Sequence, residues 1–188
     1  MAAQDWTTCI AFTLAAEGGL VDDPRDPGGL TNFGISQAAY PNVDIRALTP
    51  AKASAIYAHD YWAPVQGDAL PAGVDLMVFD MGVNAGVGMS AKILQRCVGV
   101  DADGIIGPMT LLAVKGAHAA SLITSLSAAQ LAYYQGLSGW TTFGQGWSAR
   151  VSERTAHANA LALGAAPPPP PPKPTWFGQI EGWAARFL

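Results

Sequence analysis

Apolar residues recur along most of this chain with the period of a helix. Trp6, Ile10, Phe12, Thr13 and Leu14 follow that spacing up to Gly18-Gly19, where glycine stops a helix cheaply, so a first helix is predicted to end on Glu17. Ala-rich periodic segments predict further helices over residues 45–62, 74–86, 89–98, 109–138 and 147–163. Strand-like alternation is scarce. Phe79, Met81 and Val83 alternate with Asp80 and Gly82, but the wider spacing Val74, Met77, Val78, Met81, Ala85 is helical and extends further. Between the first two helices, Pro24, Pro27 and Gly28-Gly29 force tight turns, which predicts a short β-hairpin or loop. The fold class is mainly α.

The pattern breaks after Ala165-Ala166. Pro167 to Pro172, then Lys173-Pro174, form a polyproline linker over 167–174, whose eight residues reach roughly 25 Å at ~3.1 Å each. Beyond it Trp176, Phe177, Ile180, Trp183, Ala184 and Phe187 return at helical spacing, which predicts an amphipathic aromatic C-terminal helix over 175–188. That face could cover the body of the chain, a second copy, a membrane surface or a partner. Interfacial helices are usually basic on their polar side, and the scarcity of lysine here disfavours the membrane.

At 188 residues with 50% apolar composition, the chain can bury the core of one compact domain or of a domain with a small companion. Charge divides it. Residues 1–90 carry ten Asp or Glu against three Lys or Arg, a net of −7, and residues 91–188 carry four against seven, a net of +3. The absence of a basic stripe argues against nucleic acid as a partner. His59, His118 and His157 are scattered without metal-ligand spacing, and Asp101-Ala102-Asp103-Gly104 lacks the register of a calcium loop, so a turn is expected there and no metal or cofactor is implied. Cys9 and Cys97 sit in apolar periodic segments, where free buried thiols are common; a disulfide between them stays open. The first residues lack the basic and apolar regions of a signal peptide, which suggests synthesis in the cytoplasm.

The residues with most chemical content begin at Glu17. A carboxylate at the C-terminal end of a helix meets the negative end of the macrodipole, which disfavours its charge by up to about 1 kcal/mol. Burial and the acidic surroundings would add to that, keeping a proton on Glu17 for donation to a leaving oxygen. Against this stands the ordinary solvated Glu at a frayed helix end. Asp26 follows nine residues later and Thr31 fourteen, and the turns between them would gather Asp22, Asp23, Asp26 and Thr31 beside Glu17. On a helix, Asp80 and Asn84 share a face, as a hydrogen-bonded pair lining a groove or with Asn84 bonded to backbone.

Glu17 to Ile35, E-G-G-L-V-D-D-P-R-D-P-G-G-L-T-N-F-G-I, resembles the N-terminal motif of glycoside hydrolase family 108 muramidases, which include phage endolysins and bacterial secretion-associated lysozymes. It departs at Leu20, where that family usually carries an aromatic residue. Tyr57, Tyr61 and Trp62 in I-Y-A-H-D-Y-W and the segment V-F-D-M-G-V-N-A-G (78–86) are similar to further family motifs. Residues 93–111 and 140–151 resemble the predicted peptidoglycan-binding module that follows in these proteins.

The resemblance implies a lysozyme-like helical domain, with residues 1–90 as the muramidase portion and 91–166 as a helical peptidoglycan-binding portion packed on it. It implies Glu17 as general acid in cleaving the β-1,4 bond between N-acetylmuramic acid and N-acetylglucosamine. Asp26 could stabilise the positive ring or orient water, and Thr31 could position that water. Substrate contacts are expected from Asp23, Asn32, Phe33, Tyr61, Trp62, Asp80 and Asn84. The partner would be peptidoglycan glycan strands, reached in the periplasm after membrane permeabilisation. A lytic transglycosylase and a non-catalytic wall-binding or secretion-accessory protein are the alternatives.

Overall fold

The computed structural model describes residues 2–17, 19–22 and 29–168. Asp23, Asp26, most of the proline run and residues 175–188 lie outside them. Helix α1 spans Ala2–Ala16, and a two-residue β-strand pair follows, β1 (Thr31–Asn32) with β2 (Ile35–Ser36). Helices α2 (Pro50–Tyr57), α3 (Val74–Ala85), α4 (Val87–Val98), α5 (Pro108–Gly116), α6 (Ala119–Gln135) and α7 (Trp140–Ala162) follow, with a π-helical segment Ala58–Trp62 continuing α2 and a short 3-10 turn at Gly67–Ala69. The mainly α, lysozyme-like expectation is met.

Helix α3 is the centre of the body. Eleven of its residues from Val74 to Ala85 are buried, and α1, α4, α6 and α7 all pack against it. A helix that is apolar nearly all round is stable only when surrounded in this way. Its charged exceptions are Asp75 and Asp80, both fully buried. Phe79 also joins a cluster of rings with Trp6 and Trp62, at centroid distances of 5.4 and 5.5 Å.

Three helix boundaries differ from the sequence expectation for local physical reasons. Residues 45–49 are not helical: Thr49 is the N-cap, its hydroxyl accepting from the Lys52 N–H at 3.3 Å, and Pro50 occupies the first turn, where its missing donor costs nothing. The helix expected over 109–138 is two helices. Gly116 ends α5, Ala117 is extended with ψ 149°, and α6 departs at 116° to α5. Conversely α7 starts at Trp140, seven residues earlier than expected, because ring packing outweighs the poor helix propensity of Gly144 and Gly146. The Trp147 ring lies 5.5, 6.3 and 5.8 Å from those of Tyr134, Trp140 and Phe143.

The hairpin is the tight element beside the site. Asn32 pairs with Ile35, so Phe33 and Gly34 form a two-residue turn with φ of 51° and 75°, the positive values that a type I′ turn demands. An antiparallel bridge from Val21 to Thr31 ties the segment after α1 to the same hairpin. Phenylalanine at positive φ is unfavourable, and the Tyr57 hydroxyl offsets it by donating to the Phe33 carbonyl at 2.9 Å.

Candidate active site

The last turn of α1 delivers Glu17. Its N–H still donates to the Thr13 carbonyl at 2.9 Å, so the residue is held by one further helical hydrogen bond beyond Ala16. Its carboxyl group faces the hairpin turn and Tyr57. A β-carbon placed on Gly34 would lie 2.6 Å from Glu17 Oε2 and 2.7 Å from the Tyr57 hydroxyl, which is why only glycine fits there. The Glu17 side chain is 14% exposed.

Behind the carboxylate stands a four-group ion cluster. Arg150, on α7, donates from Nη2 to Glu17 Oε1 at 3.0 Å and to Asp80 Oδ1 at 2.7 Å, and from Nε to Asp80 Oδ2 at 3.1 Å. Arg154, one turn further along α7 and fully buried, donates to Asp80 Oδ2 at 2.7 Å, and the Thr13 hydroxyl donates to Asp80 Oδ1 at 2.9 Å. Two guanidinium groups therefore meet two carboxylates. Burial alone would raise the Asp80 carboxyl, but the two arginines hold it down at about 2. Burial raises the Tyr57 hydroxyl well above its ordinary range, and the neighbouring Glu17 charge adds to the effect.

The acidic field expected around Glu17 is thus answered by a cation. Among the described residues the Arg150 guanidinium pairs with Glu17 and favours its carboxylate, whereas the helix end disfavours it. No motif near Glu17 announces Arg150. The usable signal was its spacing from Arg154, two arginines on one face of a helix that is otherwise poor in charge.

The other expected site residues fall in different places. Asp80 lies in the site's foundation, not on an open groove. Asn84 donates to the Asp80 carbonyl at 2.6 Å and to Asp80 Oδ2 at 3.4 Å, so it pairs with Asp80 and bonds its own helix. Thr31 is buried in β1, its hydroxyl donating to the Gly29 carbonyl at 3.3 Å. Phe33 forms the turn beside Glu17. The Asn32 amide is committed to the Ile45 and Leu48 carbonyls at 3.2 and 3.4 Å, anchoring the hairpin.

Tyr61 and Trp62 belong to the core: the Trp62 ring is 5.1 Å from that of Trp6, and its indole N–H donates to Asp68 at 3.0 Å. Asp22 turns away to pair with the exposed Arg46. Asp23 and Asp26 are outside the described residues.

Elsewhere, Asp103 makes the expected turn, accepting from the buried Gln95 at 2.7 Å and from the Ile105 N–H at 2.8 Å. Cys9 and Cys97 are free thiols. Among the described residues, no group of three His, Cys, Asp or Glu side chains is arranged to hold a metal ion.

A seven-helix body carrying a small two-stranded antiparallel hairpin beside the end of α1 is a lysozyme-like helical fold. Residues 10–86 match the family Glycosyl hydrolase 108, and residues 89–155 match the Predicted Peptidoglycan domain. The solved structure of Brucella abortus SagA is similar with a TM-score of 0.76 and 42% sequence identity, over 84% of this chain and 95% of that one. No curated protein matches. The chain belongs to the glycosyl hydrolase 108 family, and so to the glycoside hydrolases that act on peptidoglycan.

Proposed function

We propose that this protein is an N-acetylmuramidase that cleaves the β-1,4 bond between N-acetylmuramic acid and N-acetylglucosamine, with Glu17 as the general acid. The observation that carries this reading is the Glu17 carboxyl group, mostly shielded from solvent and clamped between the hairpin turn and Arg150. Protonated Glu17 gives its proton to the glycosidic oxygen as the C1–O bond breaks and the ring takes on oxocarbenium character. The new carboxylate forms next to a guanidinium, which stabilises charge where it develops. Asp26 or Thr31 supplies the second function, balancing the positive ring or orienting the attacking water. In the same reading the chain works as an endolysin does, reaching the wall once the membrane has been breached.

Mass analysis of fragments released from purified peptidoglycan tests the chemistry. Hydrolysis leaves a reducing N-acetylmuramic acid at the new end. A 1,6-anhydro end would instead mark a transglycosylase, and no release at all would mark a binding protein.

A further inference from the structure

We infer that Arg150 is a positioning residue for Glu17, so that the region matching the peptidoglycan domain contributes a structural part of the catalytic site. Arg150 lies within residues 89–155, while its two carboxylate partners, Glu17 and Asp80, lie within residues 10–86. The inference rests on Glu17 being the proton donor.

The geometry is that of a fixed bridge. One guanidinium spans both carboxylates, with two bonds to Asp80 and one to Glu17. Asp80 is in turn fastened by Arg154 and Thr13, so Arg150 has little freedom to leave. A planar guanidinium can hold two partners along different directions, whereas an ammonium is a point charge that satisfies one geometry at a time. The Arg150 side chain is 11% exposed, so water screens the contact weakly.

The groups that bear on Glu17 come from several elements. Arg150 is on α7. Asp80 on α3 lies behind it, and Tyr57 at the end of α2 and Tyr61 in the π-helical segment that continues α2 carry hydroxyls that stay neutral through the working range. Glu153 on α7, whose carboxyl is raised by burial, also feels the charge of Arg150, which opposes that rise. With both Glu17 and Asp80 ionised, the two arginines are balanced; with Glu17 protonated, the cluster holds one excess positive charge. Arg150 thus makes Glu17 a stronger acid and fixes the direction in which it gives its proton.

The test compares Arg150→Met and Arg150→Lys with the wild type, reading kcat and KM for release of reducing ends across pH, together with the 13C titration of the Glu17 carboxyl carbon. For Arg150→Met, we expect the Glu17 titration and the basic limb of the kcat profile to move up together by about one unit or more. We expect kcat to fall at least about tenfold with KM little changed, the pattern of an interaction that matters in the transition state. Arg150→Lys restores the titration position but not the full kcat.

An unmoved Glu17 titration in a folded Arg150→Met protein overturns the inference. If that variant does not fold, Arg150→Lys decides, and wild-type kcat in it overturns the inference. Failure of the proton-donor assignment is read separately, as retained activity in Glu17→Gln, and leaves the titration comparison intact.

Discussion

Asp80→Asn should be among the most destabilising single substitutions in the chain. The change keeps the shape of the side chain and removes its charge, leaving Arg154, fully buried, without its carboxylate and Arg150 with Glu17 alone. Breaking one side of a buried ion pair costs about 3–5 kcal/mol, since the remaining charge stays desolvated. At ~2–4 °C per kcal/mol for a chain of this size, the midpoint of thermal unfolding, followed by far-UV circular dichroism at pH 7, should drop by about 6–20 °C.

The acid limb supplies an independent check on the same cluster. The Asp80 carboxyl is lowered from 3.8 to about 2, so its stabilising contribution is complete above pH 4 and disappears as pH falls through about 2. The shift is worth on the order of 2 kcal/mol, and the gap between wild type and Asp80→Asn should narrow by that amount between pH 4 and 2. A midpoint shift below about 2 °C at pH 7 would refute the reasoning, because it would mean that the buried arginines tolerate the loss of their counter-ion.

Three further outcomes follow from the same structure. Burial pushes the Asp75 carboxyl up to about 7; a raised carboxyl stabilises the fold below pH 4 and loses that contribution as pH rises through 7, so thermal melts should show lower stability at pH 8 than at pH 5, and Asp75→Asn should abolish the difference. Gly34→Ala should reduce kcat on peptidoglycan by about 10²-fold, because the new methyl group displaces the Glu17 carboxylate in addition to straining the turn. Deleting residues 167–188 should leave hydrolysis of isolated walls unchanged, since Glu17, Gly34, Tyr57, Asp80, Arg150 and Arg154 all precede the deletion; a lowered rate would show that the tail contributes to the reaction.

The parts of the fold readable from sequence are those whose signals are local. Helix α1 ending next to Glu17 and the apolar helix α3 each follow from periodicity read over a long enough window, which for α3 overrides the short strand-like alternation at 79–83. By residue type Tyr61 and Trp62 suit a sugar platform and a core equally well; Trp6 and Phe79, distant in sequence, pack on Trp62, and Tyr57 packs on Tyr61, inside the core. Asn32 was similarly ambiguous until the Ile45 and Leu48 carbonyls claimed its amide. Arg150 lies 133 residues from Glu17, and no local rule connects positions so far apart. The acidic bias of the first half suggests a negative field at Glu17, yet among the described residues Arg150, from the other half of the chain, pairs with it at 3.0 Å. Net charge along a sequence is a poor guide to the field at one atom, where a single contact at 3 Å outweighs many distant charges.

The central claim is that Glu17 donates the proton. It is tested most directly by comparing wild type with Glu17→Gln on purified peptidoglycan, measuring the initial rate at which reducing N-acetylmuramic acid ends are released. General acid catalysis contributes about 10²–10⁴-fold, so the account predicts a loss of at least about 10²-fold in kcat with the protein still folded. Equal rates from the two proteins would contradict it.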